Sequence, residues 1–195
     1  MTVHGRYTGV LADSPAFDDP FNALPGVDRD AAFVRTNIPV WAASADLAAP
    51  ASGVAIGARI WLARGDLVTN LAFTSGDTAG VTYTHWWHAL YDPDGKLLAQ
   101  TADQAAAGWA ADTTKRLALA KPVPIKSAGW YIAATMSAAA TVQTLTGAAP
   151  LASTATVHIG SKAAGFTFGA GLGAAAPAAT GAQTTAAKVP LVVVS

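Results

Sequence analysis

Cysteine is absent from the 195 residues, which excludes a disulfide framework, a thiolate metal site and a cysteine nucleophile. Charge is scarce as well. Charged residues make up 12% of the chain, against about 25% in an ordinary soluble domain. Twelve basic and twelve acidic side chains cancel to a formal net charge of zero, so neither a nucleic-acid footprint nor a polybasic membrane patch is available. A surface of near-zero net charge favours association, as expected of a subunit in an assembly.

Long apolar runs are missing too. No stretch approaches the roughly 18 consecutive apolar residues of a membrane span, and the Ala/Gly tract near 163–179 is broken by glycines and Pro177. The opening MTVHGRYTGVLADSPAFDDPF has no basic segment followed by an apolar run and does not read as a secretory signal. The expectation is a soluble product made in a cytoplasm. Catalytic signatures are equally lacking: there is no G-x-S-x-G, and FGAGLGAAA has neither the final glycine of G-x-G-x-x-G nor a G-K-[ST] ending.

What is present divides the chain into three textures. Residues 1–50 carry Pro15, Pro20, Pro25, Pro39 and Pro50 among aspartates, yet also Phe17, Phe21, Leu24, Phe33 and Val34. This composition predicts an extended arm, docked on its own domain or on a neighbour. Residues 51–147 alternate polar and apolar positions between turn signals, as antiparallel strands do. VAIGARIWL places Val54, Ile56, Ala58, Ile60 and Leu62 on one face, and DLVTNLAFTSG places Leu67, Thr69, Leu71 and Phe73 on one face. ADQAAAGWAADTTKRLALA reads as a loop with one helical turn at most, being interrupted by Gly108 and a Thr pair. Residues 148–195 are Ala/Gly-rich and loop-like over 163–187, a length that calls for a function or a partner. The run Leu191 to Val194 is a last strand that closes the sheet or adds to a neighbour's edge. The predicted fold is all-β, an antiparallel β-sandwich of jelly-roll-like character with an N-terminal arm and a loop-rich C-terminal region.

The densest chemistry lies in THWWHALYDPDGKLLAQTAD, residues 84–103. Asp92-Pro93-Asp94-Gly95 is a β-turn sequence, which makes the stretch a hairpin. Side chains alternate on a strand, so His85 and His88 face opposite sides and form no chelating pair. His4 and His158 lie far off in sequence, and the turn aspartates Asp92 and Asp94 are suited to capping backbone amides. No catalytic, cofactor-binding or metal residue is therefore assigned, and no cofactor is expected. Of the six tryptophans, Trp86, Trp87 and Trp109 are the candidates for surface or interface aromatics. Alternation lets only one of Trp86 and Trp87 face a single core, and the other needs a cover, a subunit or a glycan.

Residues 58–147 resemble a β-sandwich domain that recurs in structural proteins of tailed bacteriophages. The likeness rests on the hairpin pattern TH.W.ALYD..G.LLAQTAD, the following W.A.T...LAL, and GWYIA ahead of TLTG. It implies a non-enzymatic virion protein on the particle surface, as a capsid decoration protein, or alternatively a tail or fibre protein with a host-glycan-binding module. The implied partners are major capsid or tail subunits and further copies of the chain in a homo-oligomer, with no nucleic acid and no membrane. The implied location is the virion, after synthesis in the host bacterial cytoplasm.

Overall fold

A computed structural model describes residues 34–149 and 162–195. The expected arm therefore lies outside the described residues up to position 33, as do His4 and His158. In chain order the strands are β1 (Arg35–Thr36), β2 (Ala45–Leu47), β3 (Val54–Leu62), β4 (Leu67–Thr74), β5 (Val81–Tyr91), β6 (Leu97–Gln100) and β7 (Thr114–Pro124). They continue with β8 (Gly129–Thr141), β9 (Leu145–Ala148), β10 (Gly165–Phe168), β11 (Gln183–Thr185), β12 (Val189–Pro190) and β13 (Val192–Val194). A 3-10 turn at Val40–Ala42 is the one helical element among the described residues.

All pairings are antiparallel. A six-stranded sheet runs β11-β10-β3-β8-β5-β6, a four-stranded sheet runs β1-β13-β4-β7, and β12-β9-β2 form a small third sheet. The long strands β3, β4, β5, β7 and β8 alternate between the two larger sheets along the chain, which gives the sandwich its jelly-roll character. The inner core between the sheets holds Ile56, Ile60, Leu62, Leu71, Phe73, Trp86, Trp109 and Val192. A second core lies on the other face of the six-stranded sheet, built from Trp87, Tyr91, Ile132, Met136, Phe166 and Phe168.

The face expected for β3 is the one observed, with Ile56, Ala58, Ile60 and Leu62 buried in the inner core. The face expected for β4 holds for Leu71 and Phe73 but not for Leu67 and Thr69. The register shifts between Val68 and Asn70, so Val68 and Leu71 both point inward while Leu67 is 48% exposed. A bulge inserts an extra residue and reverses the alternation on its far side. A second shift between Tyr83 and His85, where Thr82 has φ +54, likewise puts Tyr83 and Trp86 on the same face.

The C-terminal tract forms structure within the chain. β10 and β11 extend the six-stranded sheet, and between them Leu172 and Ala176 lie against the second core. Loop backbone groups close on the hairpin turn, with Leu97 N–H donating to Ala178 O and Thr180 N–H to Gly95 O, both at 2.9 Å. β13 sits between β1 and β4, so the valine run is an internal strand of its own sheet rather than a free edge. Residues 35–47, expected to belong to the arm, supply β1 and β2. Arg35 anchors this segment through a buried bidentate pair, Nε and Nη2 donating to Asp66 Oδ2 and Oδ1 at 2.8 and 3.1 Å.

Candidate functional site

The hairpin forms as its sequence dictates. Gly95 has φ +85, Asp92 O accepts the Gly95 N–H at 3.0 Å, and Asp92 Oδ1 accepts N–H bonds from Asp94 and Lys96 at 3.0 and 2.8 Å. Asp92 is thus a turn cap, because a short carboxylate can satisfy the backbone donors that a tight reversal leaves unpaired. The turn sets β6 against β5, and the tryptophan–histidine stretch of β5 runs through the centre of the molecule, bounded by one core on each face.

Trp86, Trp87 and Trp109 are buried in the chain itself, at 1%, 0% and 0% exposure, which corrects their expected placement at a surface or interface. The two neighbours do face opposite ways, as strand alternation requires, with Trp86 in the inner core and Trp87 in the second one. The cover for Trp87 is the chain's own C-terminal tract, where Gly173 O accepts its indole N–H at 2.8 Å. Trp86 and Trp109 donate to Ala107 O and Thr113 O at 2.7 and 2.8 Å. Each indole buries its ring and still finds an acceptor, as buried tryptophan requires.

His88 is completely buried among aromatic rings, with centroids of Phe73, Trp109 and Trp86 at 4.8, 5.6 and 5.8 Å. Its Nε2 lies 3.2 Å from Lys115 O, and a carbonyl can only accept, so Nε2 carries the hydrogen. Nδ1 is then the acceptor facing Thr135 Oγ1 at 3.0 Å. Burial pushes the imidazole pKa down to about 4, because the charged form would lose its hydration. His88 is a neutral core residue with both ring nitrogens engaged.

His85 faces the other way. Its Nδ1 is 2.7 Å from Asp103 Oδ2, while Asp103 Oδ1 accepts N–H bonds from Trp86 and Ala105 at 3.0 and 3.2 Å. Burial works against the charged carboxylate, yet His85 and the two amides outweigh it and hold Asp103 below the ordinary aspartate range. The two histidines thus occupy opposite faces, and no group of three His, Cys, Asp or Glu able to hold a metal occurs among the described residues.

One feature was not legible in the motifs. Asp46, Asp77 and Asp112 meet at an open cleft of about 200 Å³ lined also by Ala43–Ala45, Gly76 and Thr146. Gly76 has no side chain where Asp46 folds over it. A hydrogen bond between the carboxyls lowers the pKa of Asp46 and raises that of Asp77. The three come from β2, the β4–β5 turn and the β6–β7 loop, a convergence that sequence spacing does not encode. No family model matches the chain, and searches of curated proteins and solved structures found no match. No helix among the described residues is long and apolar enough to cross a membrane.

Proposed function

We propose that the protein is a non-enzymatic structural protein of a bacteriophage virion, placed on the particle surface as a capsid decoration protein and in contact with major capsid subunits and further copies of itself. The observation that carries the reading is where the residues of the phage-like pattern lie. Leu90 and Ala99 of the hairpin, Trp109, Leu119 and Tyr131 belong to the inner core, and Trp87, Ala89 and Tyr91 of the hairpin to the second one. The pattern is therefore that of a sandwich scaffold, and a resemblance resting on it is a resemblance of architecture. The scarcity of charge supports a subunit role in the same direction. The aromatics expected for the glycan-binding alternative, Trp86, Trp87 and Trp109, are interior.

The test is a density map of purified particles, together with mass spectrometry of their protein content. The reading expects this chain in the particles, with its sandwich fitting density on the outer head surface. Density confined to the tail, or particles that lack the chain, would refute it.

A further inference from the structure

The two ends of the sandwich differ in charge, and both carry exposed apolar side chains. β4 and β7 run from one end to the other, with Leu67 opposite Pro124 and Thr74 opposite Thr114. The eight residues of β4 separate the ends by about 25 Å, at roughly 3.3 Å per residue. At the Thr74 end lies the cleft of Asp46, Asp77 and Asp112, all exposed. No cation lines it. Lys115 Nζ lies 6.0 Å from the centroid of the Trp86 ring and Lys188 donates to Ala48 O at 2.9 Å.

At the Leu67 end the turns β3–β4, β5–β6 and β7–β8 come together, and Gly65 N–H donates to Ile125 O at 2.9 Å across the two sheets. Arg64, Lys96, Lys121, Lys126 and Lys162 are exposed there, with Lys162 reaching Pro93 O at 3.4 Å. The acids at this end are Asp92 and Asp94, since Asp66 is engaged by Arg35. Among the described residues, five cations against two carboxylates leave a net positive end, and the three carboxylates of the cleft, against Lys115 and Lys188 on that side, leave a weakly negative one.

The large apolar side chains that are exposed among the described residues follow the same division. Val40, Trp41 and Val81, at 62%, 79% and 53% exposure, belong to the acidic end. Trp41 stands on the 3-10 turn two residues before Ala43 of the cleft, and Val81 opens β5 just after the Gly76–Gly80 turn. Leu67 and Val34, at 48% and 49%, belong to the basic end. Val34 lies there because Arg35 pairs with Val194, which places Val34 beside Ser195 at the start of β4. Pro122 and Pro124 are exposed on the same side. An apolar patch ringed by one sign of charge is the anatomy of a protein contact.

We infer that the protein associates head to tail with a second copy of itself, the acidic end bearing Val40, Trp41 and Val81 meeting the basic end bearing Leu67 and Pro124 of the next molecule. Two ends that attract each other and repel their own kind define a heterologous contact, which closes into a ring or runs on as a filament. A neighbour's lysine at the cleft would also relieve the crowding of Asp46 and Asp77. The inference reaches beyond the virion reading and does not depend on it, because it concerns the purified chain alone.

Sedimentation velocity of the full chain tests it, with two variants on exposed positions whose melting temperatures serve as folding controls. Trp41→Ser blocks the acidic end, and Lys121→Asp with Lys126→Asp blocks the basic end. The wild-type chain is expected to form species larger than dimers as concentration rises, with an association constant falling about tenfold or more when salt is raised from roughly 0.05 to 0.5 M. Each variant alone stays monomeric. Mixed together they give a one-to-one dimer and nothing larger, since each supplies the one end that the other has lost. A wild-type chain that remains monomeric at low salt overturns the proposal, and in that case the ends are covered by something else, such as residues 1–33 or a different protein. Assembly that survives either variant, or a mixture that yields no dimer, overturns it equally.

Discussion

The six-stranded and four-stranded sheets are made by one chain under one set of rules, and they look different because one is covered on both faces and the other on one. In β5, residues 86–91 are all buried, and so are residues 131–137 of β8. β7 has partly or fully exposed positions throughout, with only Leu119 and Val123 buried along it. Antiparallel strands usually show a clean alternation because one face meets water. Where a second layer arrives, the alternation vanishes and the strand reads as a continuous apolar run. Here that second layer is an Ala/Gly-rich loop with little hydrophobic content of its own, and it works by letting Trp87, Tyr91, Phe166 and Phe168 of the sheet pack beneath it. The second core is also the less completely satisfied. Among the described residues the buried polar side-chain atoms without a partner are Arg59 Nη1, Trp61 Nε1 and Tyr91 Oη, and by alternation along β3 and β5 all three belong to that face.

The largest effect expected from breaking this arrangement is at Trp87. Trp87→Ala should cost about 3–5 kcal/mol, measured by chemical denaturation, whereas Arg116→Ala on the open face of the four-stranded sheet should stay within about 0.5 kcal/mol. Equal losses at the two positions would remove the distinction between the sheets. Next comes the buried pair that ties β1 to the β3–β4 turn. Arg35→Ala leaves the Asp66 carboxylate buried, with the Ala63 N–H at 2.7 Å as its remaining donor, and should destabilise the fold by roughly 3 kcal/mol. A wild-type denaturation midpoint in that variant would mean that the N-terminal strand is not anchored.

A comparable loss should appear on acidification. The folded pKa of His88, about 4, lies below the 6.5 of an unfolded histidine. The unfolded chain therefore gains a proton first as pH falls, and stability from this group is intact above about pH 6.5 and lost progressively down to pH 4, by roughly 3 kcal/mol in all. His88→Asn should lower stability at pH 7 but flatten this limb of the curve. An unchanged slope between pH 6.5 and 4 in the variant would assign the acid sensitivity to other groups. The smallest effect concerns the hairpin. Gly95→Val forces a branched residue to φ +85 and crowds Thr180, so a loss of about 1 kcal/mol or more is expected as a lower melting temperature.

Much of this was legible in the residues. The alternation of β3, the turn at 92–95 with its positive-φ glycine and the divergence of His85 from His88 all follow from local rules, because period and turn chemistry act over a few residues. Three things did not follow. The bulges at 68–70 and 83–85 reverse the phase of a strand without a residue type that announces them. The burial of Trp87 depends on a second core, and the Ala/Gly tract that closes it has no period to read. The acidic cleft joins three segments that the topology alone brings together. Even the role of the terminal valines was ambiguous, since a β-forming run looks the same whether it fills its own sheet, as β13 does, or a neighbour's.

Native-state hydrogen exchange, read residue by residue, tests the contrast between the sheets most directly. Amides of β8 and of β5 from Trp86 to Tyr91 sit in a sheet covered on both faces and should exchange only by global unfolding, so that their opening free energies converge on one maximal value. Those of β7, an edge strand exposed on one face, should open locally and exchange at lower free energies. Protection in β7 equal to that in β8 and β5, or local opening of β5 at the same free energy as β7, would contradict the claim that the C-terminal tract gives the six-stranded sheet a second core.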